Sequence, residues 1–143
     1  MLCSLCYPKQ EINHMGSIFT EIINGTIPCH KLYEDEQSLA FLDVRPIRPG
    51  HALVIPKQEI DYIFDVPDEL LQYLITVAKK VARAIDQSVD CRRVGIIVAG
   101  LEVPHAHIHL VPIREIRDIN FANATEMTND KLEQIAETIR ALL

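Results

Sequence analysis

Gly100-Leu-Glu-Val-Pro-His-Ala-His-Ile-His-Leu-Val-Pro112 is the stretch from which the rest of the chain can be read. Three of the six histidines, His105, His107 and His109, alternate here with Ala106, Ile108 and Leu110. An extended strand puts residues i, i+2 and i+4 on one face. The spacing therefore predicts a strand over His105–Ile113 with three imidazoles in a row and an apolar face behind them. A helix turns by about 100° per residue and would scatter them.

Partner strands lie upstream. CRRVGIIVAG, Cys91–Gly100, reads as one strand ending in glycine, and HALVIPK, His51–Lys57, as another with the apolar centre of a buried position. His30–Glu34 and Ser38–Val44 flank an acidic turn and read as a hairpin. Arg45–Gly50 is a loop punctuated by proline and glycine.

Helices bracket these strands. Ser17–Gly25 is expected to be a short helix, with Ser17 as N-cap and Gly25 just past its end. A long helix is expected from about Pro67 to Gln87, with Asp65 as candidate N-cap. Leu70, Leu74, Val77, Ala78, Val81 and Ile85 form its apolar stripe, and Lys79, Lys80 and Arg83 its wet face. Arg114–Thr125 looks irregular, and Asn129–Leu143 reads as a closing helix. The order α, β-β-β, α, β-β, α with short connections implies an α+β fold around an antiparallel sheet. One domain is expected over residues 15–143, preceded by a disordered extension over 1–14.

Composition narrows the partners. At 143 residues, a formal charge of −6 and a pI near 5.4 argue against nucleic acid, while a small anion bound by histidines and backbone N–H groups stays possible. No apolar run approaches the ~18–20 residues of a membrane span. The N-terminal stretch lacks the basic and apolar segments of a signal peptide, so a cytoplasmic location is expected. Structural disulfides are then not expected; Cys29 and Cys91 are isolated, and Cys3 and Cys6 make at most half a metal site.

Three readings of the histidine row stand side by side. It is incidental; or it binds metal, with His51 or Glu102 completing the ligands; or it performs phosphoryl chemistry. For the last, a neutral imidazole is a competent nucleophile at phosphorus, and the glycine turn at Gly100 lets backbone N–H groups approach an anion.

His105-Ala-His-Ile-His-Leu-Val111 resembles the signature of the histidine-triad (HIT) family, with hydrophobic residues between the histidines. SIFTEIINGTIP is similar to that family's opening helix and LAFLDVRPIRPGHALVIPK to its central strands, so the resemblance runs from about Ser17 to Ile113. The nearest branch is the Hint, or protein kinase C-interacting-protein-like, branch. The resemblance implies a five-stranded antiparallel sheet with a short N-terminal, a long central and a C-terminal helix, and a homodimer joined through a continuous ten-stranded sheet. It implies an enzyme without cofactor that hydrolyses purine nucleoside phosphoramidates or related nucleotidyl conjugates of AMP or GMP type. The alternatives it leaves are a dinucleoside polyphosphate hydrolase and a low-turnover nucleotide-binding protein.

By the same resemblance His107 is the nucleophile that forms a nucleotidyl-histidine intermediate, His109 helps hold the phosphate, and His105 orients His107. His51 matches a fourth histidine near the triad, and Asp43 the acid that accepts from both ribose hydroxyls. Ile18, Phe19, Ile22, Ile27, Phe41 and Val44 match the walls around the base. Gly100, Leu101, Glu102 and Val103 match the phosphate side.

Three departures from the family pattern are visible. Many relatives carry a Cys-x-x-Cys that binds zinc with histidines matching His51 and His105; Ser17 and Thr20 stand there in this chain, so no metal is expected. Leu101 and Glu102 replace a glutamine and a serine that contact the phosphate and leaving group. Leu101 has no hydrogen-bonding side chain, and Glu102, which would repel phosphate if ionised, either points away, or serves as an acid for the leaving amine, or leaves catalysis weak. An asparagine of the preceding loop is missing, because Gly95–Gly100 is short.

Overall fold

Short-range sequence signals set most of the element boundaries. The computed structural model describes residues 16–143. The extension expected over 1–14 and the Cys3/Cys6 pair lie outside the described residues. Helix α1, Ile18–Ile23, starts where Ser17 Oγ accepts the Thr20 N–H at 3.2 Å. It stops at Gly25, whose φ of 80° is the left-handed value that ends a helix without a Cβ penalty.

The strands are β1 (Lys31–Glu34), β2 (Ser38–Leu42), β3 (Ala52–Pro56), β4 (Arg93–Ile97) and β5 (Ile108–Ile113). They form one antiparallel sheet in the order β1-β2-β3-β5-β4, giving the α+β class expected from the element order. The β1–β2 turn is organised by Asp35, whose Oδ1 accepts from the Gln37 and Ser38 amides at 2.8 Å each. This is how an aspartate mimics a backbone turn.

Helix α2 runs Asp68–Ser88 and α3 runs Asn129–Arg140. Asp65 does not cap α2. It belongs to a 3-10 turn at Ile63–Asp65, and the cap position falls on Pro67. The reason is local: a residue before proline is pushed out of the helical region, and Val66 is extended at φ −67°, ψ 128°. Thr128, one residue before the expected start, caps α3 by accepting the Lys131 N–H.

The histidine strand is shorter than the alternation predicts. β5 begins at Ile108, so only His109 of the three lies in it, and β4 ends at Ile97 rather than at Gly100. The segment before β5 is extended but tied elsewhere: the Ala106 N–H donates to the Ile60 carbonyl at 2.7 Å, and the Pro56 carbonyl is taken by the ring of His105 at 2.8 Å. A side chain has replaced the strand partner at the end of β3.

The sheet has two dissimilar faces. On one, Leu42, Ala52, Val54, Ile108 and Leu110 pack against Leu74, Val77, Val81 and Ile85 of α2 and Leu132, Ala136 and Ile139 of α3. On the other, a smaller group of Leu39, Phe41, Leu53 and Ile55 packs against Phe19 of α1. The functional side chains lie on this second face. Among the described residues no helix is long and apolar enough to cross a membrane.

Candidate active site

His51, His105, His107 and His109 are all buried, from 0% exposed at His105 to 7% at His109. Four desolvated imidazoles need partners, and those partners fix which nitrogen of each ring carries the proton.

One chain of hydrogen bonds runs through His51 and His109. The Ile47 N–H donates to His51 Nδ1 at 3.0 Å. His51 Nδ1 is therefore an acceptor, and in the neutral ring Nε2 carries the hydrogen. His51 Nε2 in turn lies 2.9 Å from His109 Nδ1, so it donates there and leaves His109 Nε2–H as a donor toward the cleft. Both rings are held neutral. Burial pushes His51 down to about 4. Burial, with the His51 and His107 rings nearby, pushes His109 down to about 3.

A second chain orients His107. Its Nδ1 lies 2.7 Å from the carbonyl of His105. A carbonyl only accepts, so Nδ1 carries a hydrogen, and the neutral ring then keeps its lone pair on Nε2. Phe19 holds the ring edge-to-face at 5.1 Å, and the rings of His107 and His109 meet at 4.8 Å. In that tautomer a lone pair on His107 Nε2 stands beside the neutral N–H donor of His109.

Both face a cleft of about 540 Å³. Of the residues expected there, Ile18, Phe19, Asp43, Val44, Gly100, Leu101, Glu102, Val103, His107 and His109 line it. Phe41 stands behind Phe19, edge-on at 5.7 Å. Ile22 packs in the small core, and neither Ile22 nor Ile27 lines the cleft. His51 and His105 act from behind the lining. Gly100 takes φ 70°, so the loop turns there without strain, and Leu101 is 92% exposed beside Glu102, which is also exposed.

Sequence reasoning missed Arg45, Leu53, Ala99, Phe121 and Ala124 in the lining. Phe121 comes from a 3-10 turn at Phe121–Asn123 in the tail, and its ring meets that of His109 at 5.0 Å. No periodicity marks that segment; the one signal was a large aromatic residue in a polar stretch.

Asp43 sits at the mouth of the His51–His109 chain. Its Oδ1 accepts the Arg45 N–H at 2.9 Å, and Oδ2 is 3.8 Å from His51 Nε2. Burial raises its carboxyl above the usual range against the pull of that amide and of the nearby His107 and Arg45 side chains. Asp43, His51 and His109 also offer ligand atoms within 4.8 Å of one another. The proton chain argues against a metal among them. A ligating His51 Nε2 would need its hydrogen on Nδ1, where the Ile47 N–H already points.

His51 stands near the triad, 2.9 Å from His109, but does not also stand at the zinc-ligand position beside Ser17, Thr20 and His105. Glu59 does. Its Oε2 accepts from the Ser17 N–H at 3.2 Å and from the Thr20 hydroxyl, while Ser17 Oγ lies 2.8 Å from His105 Nδ1. Position along the strand explains the difference. His51 precedes β3 and Glu59 follows it, so the two sit at opposite ends of the strand.

A family model for the HIT domain matches residues 24–116. The adenosine 5′-monophosphoramidase HNT1 of Saccharomyces cerevisiae is 36% identical over 129 residues, covering 88% of this chain and 82% of the yeast protein. The crystal structure of a Hit-like protein involved in cell-cycle regulation from Bartonella henselae matches with a TM-score of 0.80 at 32% identity, over 89% of this chain and 96% of that one. A zinc-bound histidine-triad family protein from Mycobacterium smegmatis matches with a TM-score of 0.75 at 31% identity, over 87% of this chain and 91% of that one.

Proposed function

Because this chain belongs to the HIT family, we propose that it is a nucleotidyl hydrolase that cleaves nucleoside 5′-phosphoramidates through a covalent intermediate on His107. One observation carries the reading: with Nδ1 held to the His105 carbonyl, His107 has Nε2 as its free nitrogen next to the N–H of a neutral His109 at the wall of the cleft. The yeast relative's activity as an adenosine 5′-monophosphoramidase supports the substrate class.

The chemistry follows from the proton assignments. The nucleotide's phosphate meets His109 Nε2–H, a donor that brings no second charge. His107 Nε2 attacks the α-phosphorus, and the P–N bond to the amine breaks. The amine leaves with a proton taken from solvent at the open cleft mouth. Nucleophilic attack by water then breaks the P–Nε2 bond, giving the nucleoside monophosphate and the free imidazole. Splitting one difficult displacement into two is what a nucleophilic side chain contributes. Asp43, its second oxygen unclaimed by the backbone, accepts from the ribose hydroxyls, and Ile18, Phe19 and Val44 flank the base.

Dimerisation through β4 belongs to the same reading. β4 is an edge strand, and Ile96 and Val98 are 54% and 40% exposed. Val94 faces Pro112 in the β5 ladder, and proline has no N–H to give. The polar backbone groups of Val94 and Ile96 therefore point outward, free to pair with a second β4. Sedimentation should give about twice the chain mass of 16.2 kDa, and Ile96→Lys should halve it.

The decisive assay uses adenosine 5′-phosphoramidate. The unaltered protein should release AMP, and His107→Ala should be slower by at least about a thousandfold while still binding AMP. Equal trace rates would overturn the hydrolase; retained AMP binding would then leave a nucleotide-binding protein.

A further inference from the structure

We propose that Ser17 is a positioning residue for the nucleophile, acting through His105 and anchored by Glu59 and Thr20. The inference rests on the reading of His107 as nucleophile and adds a part of the machinery that lies outside the cleft.

The hydrogen bonds around Ser17 allow one consistent assignment. His105 is fully buried, and burial lowers its basicity, against the pull of the Pro56 carbonyl and Glu59, so the ring is neutral. Its Nε2 faces the Pro56 carbonyl at 2.8 Å and must donate. Nδ1 is then an acceptor, and the Ser17 hydroxyl at 2.8 Å is its donor. The Ser17 oxygen accepts the Thr20 N–H, the Thr20 hydroxyl donates to Glu59, and the Ser17 N–H donates to the same carboxylate oxygen. Every proton in the cluster has one place.

The cluster is packed as well as bonded. A Cβ at Gly16 would stand 2.8 Å from the Thr20 methyl and 3.0 Å from Glu59 Oε2, so the loop fits only as glycine. The ring of His105 is thus pinned at both nitrogens between α1 and the end of β3. Its own carbonyl is the group that fixes the His107 proton on Nδ1. A ring free at Nδ1 lets that backbone rotate, and the carbonyl drifts from the His107 N–H. Misplacing a nucleophile by a fraction of an ångström is costly for the chemical step and leaves substrate binding alone.

Ser17 is also the N-cap of α1, and the test must separate the two roles. Glycine is nearly as good an N-cap as serine and alanine is poor. Neither can donate to His105. Ser17→Gly and Ser17→Ala should both lower kcat on adenosine 5′-phosphoramidate about tenfold or more with KM within about twofold. Ser17→Thr keeps hydroxyl and cap and should restore kcat. Nitrogen-15 imidazole spectra should show the His107 Nδ1–H tautomer diluted in the Gly and Ala variants and intact in Thr. A kcat and a tautomer unchanged in the glycine variant would overturn the proposal and leave Ser17 a helix cap. If the alanine variant does not fold, the glycine and threonine variants decide alone. If the unaltered protein shows no turnover, the parent reading fails, and the spectra still decide whether Ser17 sets the His107 tautomer.

Discussion

His109 and Leu110 are neighbours in β5, yet they belong to different economies. Leu110 enters the large apolar core beneath α2 and α3, while His109 joins the opposite face, where α1 covers a small core. Of the buried polar residues described, four are histidines, and all four gather on the cleft side. The large face supplies the favourable burial that folding needs. The small face carries desolvated imidazoles and a cleft, each a cost in stability. One sheet can do both because its alternate residues point in opposite directions.

That division breaks hardest on the apolar side. Leu110→Ala should lower the unfolding free energy by about 2–5 kcal/mol, read by urea denaturation, and leave kcat per folded molecule unchanged. A matching loss of kcat would mean the two faces are coupled.

Acid should distinguish them next. His51 and His109 are bases whose affinity for protons is lowered by folding, to about 4 and about 3. Below ~6.5, where a free histidine titrates, the unfolded chain binds more protons than the folded one. Their contribution is therefore whole above that pH and is lost progressively as pH falls toward 4. Melting temperature followed from pH 7 to 4 should fall, and His51→Gln, which does not titrate, should flatten the curve. An equally steep curve in the variant would assign the acid sensitivity elsewhere.

The smallest effect is expected at the rim. Leu101→Gln and Glu102→Ser change exposed side chains, so stability should stay within about 0.5 kcal/mol. Removing the carboxylate and adding a donor beside the phosphate should raise kcat/KM a few-fold. No change would show that this loop stays clear of the bound nucleotide.

What the sequence made legible was local. Ser17 and Gly25 mark the ends of α1 by their own hydrogen bond and dihedral, and the stripe of α2 follows from helical spacing. The alternation at 105–109 pointed to a continuous strand and missed that His105 spends its ring on the Pro56 carbonyl. Contacts that span the chain were out of reach: His51 with His109 across 58 positions, Ser17 with His105 across 88. Phe121 sits by His109 because the tail folds back, and its neighbours carry no pattern that says so.

The Ile47–His51–His109 chain bears on how tightly salt controls the site. A donor made by a neutral ring attracts an anion as a dipole, at hydrogen-bond range, where dissolved ions do not intervene. Screening acts on separated charges beyond about 10 Å at 0.1 M ionic strength. The hold that His109 offers a phosphate should thus persist in concentrated salt, where a lysine's longer-range pull would fade.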